Sequence, residues 1–142
     1  MTKINKILFF IFLLIIVFFL GFFLVNKDNK KLKDSFAPQE NEGGSVTVTV
    51  KPKVLKVGEK PIFEVEFNTH SVELSFAIEK LSYLTDDKGK TFNQPVWNGS
   101  PPGGHHRSGI LTFTEILSET KYVELIIKDV AGISERKFRF EL

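Results

Sequence analysis

The sequence predicts an all-β antiparallel sandwich of immunoglobulin-like type, preceded by one transmembrane helix. Three observations carry this reading. Residues 7–25, ILFFIFLLIIVFFLGFFLV, form an apolar run without a charge. The rest of the chain holds about seven short runs in which apolar and polar residues alternate, the period of a half-buried strand. Between those runs lie clusters of Asp, Gly and Pro, which supply the dihedrals that turns need. A cupredoxin-like strand order is the alternative, because alternation does not say which strands pair.

The apolar run comes first. Nineteen residues rise roughly 28 Å as a helix, close to the hydrocarbon thickness of a bilayer. A buried helix of a soluble protein would show a polar stripe, and this run has none. Lys3 and Lys6 in the flank 1–6 resemble the basic start of a secretory signal. The apolar stretch is longer than a cleaved leader needs, and its exit, Phe23-Leu24-Val25-Asn26, is bulky where a peptidase prefers small side chains. An uncleaved single-pass signal-anchor is therefore expected, with the bilayer as partner of residues 7–25. The β domain is expected on the extracytoplasmic side of the cell membrane. Lys27, Lys30, Lys31 and Lys33 oppose that orientation, because basic flanks tend to stay inside.

Charge is divided unevenly. Residues 1–34 carry six lysines and two aspartates, whereas 35–142 carry 13 basic and 15 acidic side chains. The positive excess lies beside the apolar run, where anionic lipid attracts it. The distal part has no basic surplus for a phosphate backbone, so nucleic acid is not an expected partner. With no cysteine, the chain has no disulfide, thiolate chemistry or blue-copper centre.

Residues 26–45, NKDNKKLKDSFAPQENEGGS, are polar and interrupted by Pro38, Gly43 and Gly44; they read as a flexible tether. Residues 46–142 are the sandwich domain. Val46, Val48 and Val50 alternate with threonines, and Phe63, Val65 and Phe67 with glutamates. Val72 to Leu84 fits one or two strands, or a strand and a turn. Leu111 and Phe113 form a short run, Val123, Leu125 and Ile127 a longer one, and Phe138, Phe140 and Leu142 the last. Turns are expected at 56–61, at 86–90 and at 129–132.

The candidate chemistry concentrates in Pro101-Pro102-Gly103-Gly104-His105-His106-Arg107-Ser108-Gly109. Two of the three histidines sit here, and His70 ends a strand run. If both segments share one rim, His70, His105 and His106 could hold Zn or Cu(II), with Asp86, Asp87 or Asp129 adding oxygen. Arg107 and Ser108, with the glycine amides, could contact an anion or a partner carboxylate. Trp97, Gly103 and Gly104 are expected to support the loop: Trp97 by packing beneath it, the glycines by their dihedral freedom. Asn98-Gly99-Ser100 matches a glycosylation sequon. No nucleophile elbow accompanies Ser71 or Ser108.

The segments NTHSVELSF, GGHHRSG and KDVAGISERKF, with a tryptophan before a glycine turn, resemble a poorly characterised family of small membrane-anchored or exported β-sandwich proteins. The resemblance covers about residues 62–141. It implies that His70, Trp97, Gly103, Gly104, His105, His106 and Arg107 are distinctive positions, and it brings no activity with it. The expected function is a membrane-anchored, non-catalytic binding or assembly module of the cell envelope, with an envelope protein as partner. The alternatives are a divalent-metal protein that binds, delivers or senses Zn or Cu(II) through the histidines and, more remotely, a metal-assisted hydrolase.

Overall fold

The computed structural model describes residues 36–142. The flank 1–6, the transmembrane run 7–25 and the tether up to residue 35 lie outside the described residues. Among those described, no helix is long and apolar enough to cross a membrane.

The strands follow in order: β1 Gln39–Gly43, β2 Val46–Val54, β3 Ile62–Thr69, β4 Ser82–Asp86, β5 Thr91–Phe92, β6 Val96–Gly99, β7 His106–Thr112, β8 Tyr122–Val130 and β9 Ile133–Glu141. A single helical turn, Ile78–Leu81, precedes β4. Two antiparallel sheets result, ordered β1-β2-β3-β7-β6 and β5-β4-β8-β9. From β2 to β9 this is the immunoglobulin-like connectivity, with β1 added at one edge.

Alternation decides the faces. Val48, Val50, Phe63, Val65, Phe67 and Leu111 point inward from the first sheet, and Leu84, Val123, Leu125, Ile127, Phe138 and Phe140 from the second; all are buried. Removing each such side chain from water contributes about 1.5–3 kcal/mol relative to exposure. Phe63 lies edge-on to Phe113 at 6.1 Å between centroids, and 5.9 Å from Phe140. Ile126 has outward parity yet is 5% exposed. It pairs across the strands with Tyr83 and Lys137, and long side chains of this kind shelter an apolar neighbour with their stems.

One finding differs from the sequence expectation, and one stretch left open is resolved. Part of the expected tether is a strand: Gln39–Gly43 pair with Val46–Val50. Gly44 and Ser45 have φ of 55° and 61°, the two positive values of a type I′ hairpin. The glycines read as breakers therefore turn the chain back on itself. The stretch 72–84 holds an extended segment, the helical turn and the start of β4, not two strands.

A second type I′ pair, Ala131 and Gly132 at 54° and 76°, joins β8 to β9. The two hairpin tips meet: a Cβ on Gly44 would stand 1.9 Å from the Ala131 carbonyl oxygen. Beneath them the fully buried Arg136 donates to the carbonyls of Asn41 (2.9 Å), Gly43 (2.6 Å), Val46 (3.3 Å) and Val130 (3.4 Å). One guanidinium thus ties the first sheet to the second along the β1–β9 side. The opposite side is closed by the short β5 and β6 and by the helical turn 78–81, which packs against β6 and β8.

The strand directions place 44–45, 70–81, 100–105 and 131–132 at one end. Loops 55–61, 87–90 and 113–121 lie at the other, where Phe36 packs edge-on to Phe140 at 6.0 Å. The chain enters the sandwich at the end opposite the histidines.

Candidate functional site

The histidine rim is built by two loops that hydrogen-bond to each other. The Thr69 amide donates to the His105 carbonyl at 3.0 Å, Leu74 to Gly104 at 2.9 Å, and Gly103 to Leu74 at 2.8 Å. The Glu73 carboxylate accepts from the Gly104 amide at 2.7 Å. This path requires φ of 120° at Gly103 and 74° at Gly104, values that L side chains rarely adopt. The Thr69 hydroxyl donates to the Ser45 carbonyl at 2.6 Å and accepts from the amides of Ser71 and Val72. It fixes where β3 ends and His70 begins.

Two of the three histidines meet. His70 and His106 have ring centroids 5.9 Å apart with planes at 77°. His106 Nδ1 lies 2.9 Å from Asn68 Oδ1, an oxygen that can only accept, so Nδ1 is the donor of this bond. His105 contributes its carbonyl to the loop seam. The expected three-histidine metal centre is not formed: among the described residues no group of three His, Asp or Glu side chains converges to hold a metal. Asp129, beside the 131–132 turn at the rim end, joins no such group, and Asp86 and Asp87 are engaged elsewhere. Asp86 turns inward to cap its own loop, accepting from the amides of Lys88 and Lys90 at 2.9 and 2.8 Å. Asp87 accepts a short hydrogen bond from Thr120. Both stand at the end of the sandwich away from the rim.

Arg107 is 2% exposed. Its guanidinium donates to the carbonyls of Leu74 (3.0 Å), Phe76 (2.7 Å) and Ser100 (3.3 Å), joining both rim loops from beneath. The Phe76 and Trp97 rings lie 5.1 and 6.0 Å from its carbon. Burial lowers its pKa from the usual guanidinium value, and Glu79 opposes that shift. Where an anion contact is expected from the sequence, the guanidinium faces carbonyl oxygens inside the fold. Ser108 is exposed, and its amide and carbonyl are tied to Ser100.

Trp97 lies in β6 and is half-buried. Its Nε1 donates to the Ser100 carbonyl at 3.0 Å, and its ring covers a glycine pair. Gly99 and Gly109 stand directly opposite across β6 and β7. A Cβ on Gly109 would come within 2.5 Å of Gly99 Cα and 2.7 Å of Trp97 Cζ2. The backbones approach closely because neither residue has a side chain, and the indole fills the space above them.

Sequence reasoning missed Arg136, the Gly99–Gly109 pair and the roles of Thr69 and Glu73. Parity could have found the arginines. Arg136 shares the inward register of Phe138 and Phe140, and Arg107 that of Leu111 and Phe113. A charge in phase with a core stripe is buried and needs acceptors.

Comparison of the chain with family models, curated proteins and solved structures finds no match. The resemblance carried by the THS and GGHHR segments is supported only as far as a two-sheet sandwich. That fold is consistent with a non-catalytic binding or structural domain.

Proposed function

We propose that the chain is a membrane-anchored, non-catalytic binding or assembly module of the cell envelope, its sandwich displayed on the extracytoplasmic side by residues 7–25. The observation that carries this reading is the contrast between the two sides of the sandwich. The β9 side is covered: β1 lies against it, and Arg136 and Gln39 bond across. The β6 side is open, and Val96 on that edge is 56% exposed. An uncovered edge strand offers unpaired backbone donors and acceptors to an extended segment of another protein. Arg107, bonded to the Ser100 carbonyl just past β6, and the stitched rim brace this edge, and a braced edge lowers the entropic cost of docking.

A photo-crosslinking residue placed at 96, at 98 and, as control, at 137 tests this in intact membranes. A discrete protein adduct from 96 and 98, absent from 137, is the expected outcome. Equal labelling at all three positions, or none at 96 and 98, would refute an edge-docking role. The anchor is checked separately. Full-length protein should resist alkaline extraction from membranes, and a variant lacking residues 7–25 should be released.

A further inference from the structure

Exposed apolar side chains are not spread evenly over the sandwich. Among the described residues the large ones are Val57, Val96, Ile116 and Leu142. All four lie at the end where Phe36 brings the chain in. Val57 is in the loop after β2 and Ile116 in the loop before β8. Val96 opens β6 opposite Thr112. Leu142 follows β9, its amide on the Lys121 carbonyl at 2.9 Å. The histidine end exposes none among the described residues. Single exposed apolar residues are ordinary on a protein surface; their confinement to one end is not.

Local geometry puts two of them at loop tips. The Glu59 amide donates to the Lys56 carbonyl at 3.1 Å, and Gly58 has φ of 87°. Gly58 is thus the third residue of a tight turn and Val57 the second, at its outer corner. The next loop is tied to this turn. The Gly58 amide donates to the Leu117 carbonyl and the Leu117 amide to the Glu59 carbonyl, both at 2.9 Å. Leu117 is buried in the core, while Ile116 beside it is 57% exposed. Neither Val57 nor Ile116 packs into the core. Lysines surround them. The loops 55–61, 87–90 and 113–121 carry five lysines and four acidic residues, against one lysine and two glutamates in the rim loops 70–81 and 100–105. Lys60 and Lys121 form no ion pair among the described residues.

The chain itself indicates what covers this end. Ten residues, 26–35, separate the apolar run 7–25 from Phe36. Fully extended they reach at most about 35 Å, and Phe36 packs edge-on to Phe140, so the tether ends on the sandwich. If residues 7–25 span the bilayer, that length is the farthest this end can stand from its surface. A lipid surface takes aliphatic side chains into the acyl boundary and leaves lysine heads among the phosphates, where anionic lipid attracts them. We propose that Val57 and Ile116 dip into the bilayer surface, with Lys60 and Lys121 at the head groups and the histidine end held away from the lipid. The contact rests on the anchored reading, but not on the side of the membrane the domain occupies. It is separate from the role of the β6 edge.

The chain has no cysteine, so single labelling sites can be added. Full-length protein with Ser118→Cys or, at the rim, His105→Cys is labelled with a polarity-sensitive fluorophore. Each is reconstituted into phosphatidylcholine–phosphatidylglycerol vesicles, with and without lipid bearing a nitroxide on its acyl chain. Flotation with the vesicles reports the anchor. The label at 118 should emit further to the blue and be quenched by the nitroxide; the label at 105 should do neither. Val57→Asp with Ile116→Asp should cut the quenching at 118 about fivefold, because a carboxylate is expelled from the acyl region. Flotation and melting temperature should not change in that variant. No quenching at 118 in protein that floats overturns the proposal and leaves the anchor standing. So does equal quenching at 105 and 118, or quenching untouched by the double substitution. A blue shift at 118 without quenching overturns it in favour of a second copy of the chain on this end. Protein that fails to float removes the anchor and the contact together.

Discussion

Arg136 shows how one residue can tie two sheets together along their β1–β9 side. Its donors serve four carbonyls on both sheets, and burial lowers its pKa from the ordinary guanidinium value. Truncation would strand those carbonyls in a dry interior. Arg136→Ala should cost about 3 kcal/mol in denaturant unfolding; a loss under about 1 kcal/mol would mean that water takes over the carbonyls. Gly109 makes the complementary point, since it works by having no side chain. Gly109→Ala should destabilise by about 2 kcal/mol, because the new methyl has backbone on one side and the indole on the other. Trp97→Ala should cost a similar amount, about 2 kcal/mol, as fits a ring only half-buried. Both are read from urea midpoints at constant m.

At the scale of elements, turns decide more than strands do. The loop between β4 and β5 is organised by its own aspartates and by Thr120 from the loop before β8. The Thr120 hydroxyl holds the Asp87 carboxyl below its usual value, helped by the Lys121 amide and by the charges of Lys88 and Lys121. A folded pKa below the unfolded one gives stability that is present above about pH 4 and is lost as pH falls through the folded value. Thr120→Val should therefore unfold at lower urea than the parent near pH 6, and the gap should close toward pH 2. A gap that stays constant over that range would show that the carboxylate is not what the hydroxyl serves. The type I′ hairpins at 44–45 and 131–132 act in the same way, setting the register on which Arg136 relies.

For the whole molecule the question is whether the rim is chemically active or only a well-tied corner. The backbone seam, Glu73 and Arg107 account for the path of the loop without any ligand. Zinc titration of the full chain should show no tight one-to-one site, and His105→Ala should leave the isotherm unchanged. Tight binding abolished by His70→Ala and by His106→Ala would restore the metal reading. The open β6 edge is the surface on which docking is proposed, and it contains no histidine.

The sequence by itself determined the all-β class, most strand positions and the turns at 86–90 and 129–132. Each of these follows from a local rule: a period of two, or a residue able to take an unusual φ. It also determined that His70 and the His105–His106 pair fall at strand ends, and so within reach of a common rim. Tertiary structure alone decided that two imidazoles meet and the third does not, that Arg107 and Arg136 are spent on carbonyls, and that Gly99 faces Gly109. It also turned residues 39–43 from tether into strand. The physical reason is that pairing partners, and the sheet each strand joins, are set by contacts between residues far apart in the chain. Alternation tells a side chain which way to face but not what it will find there.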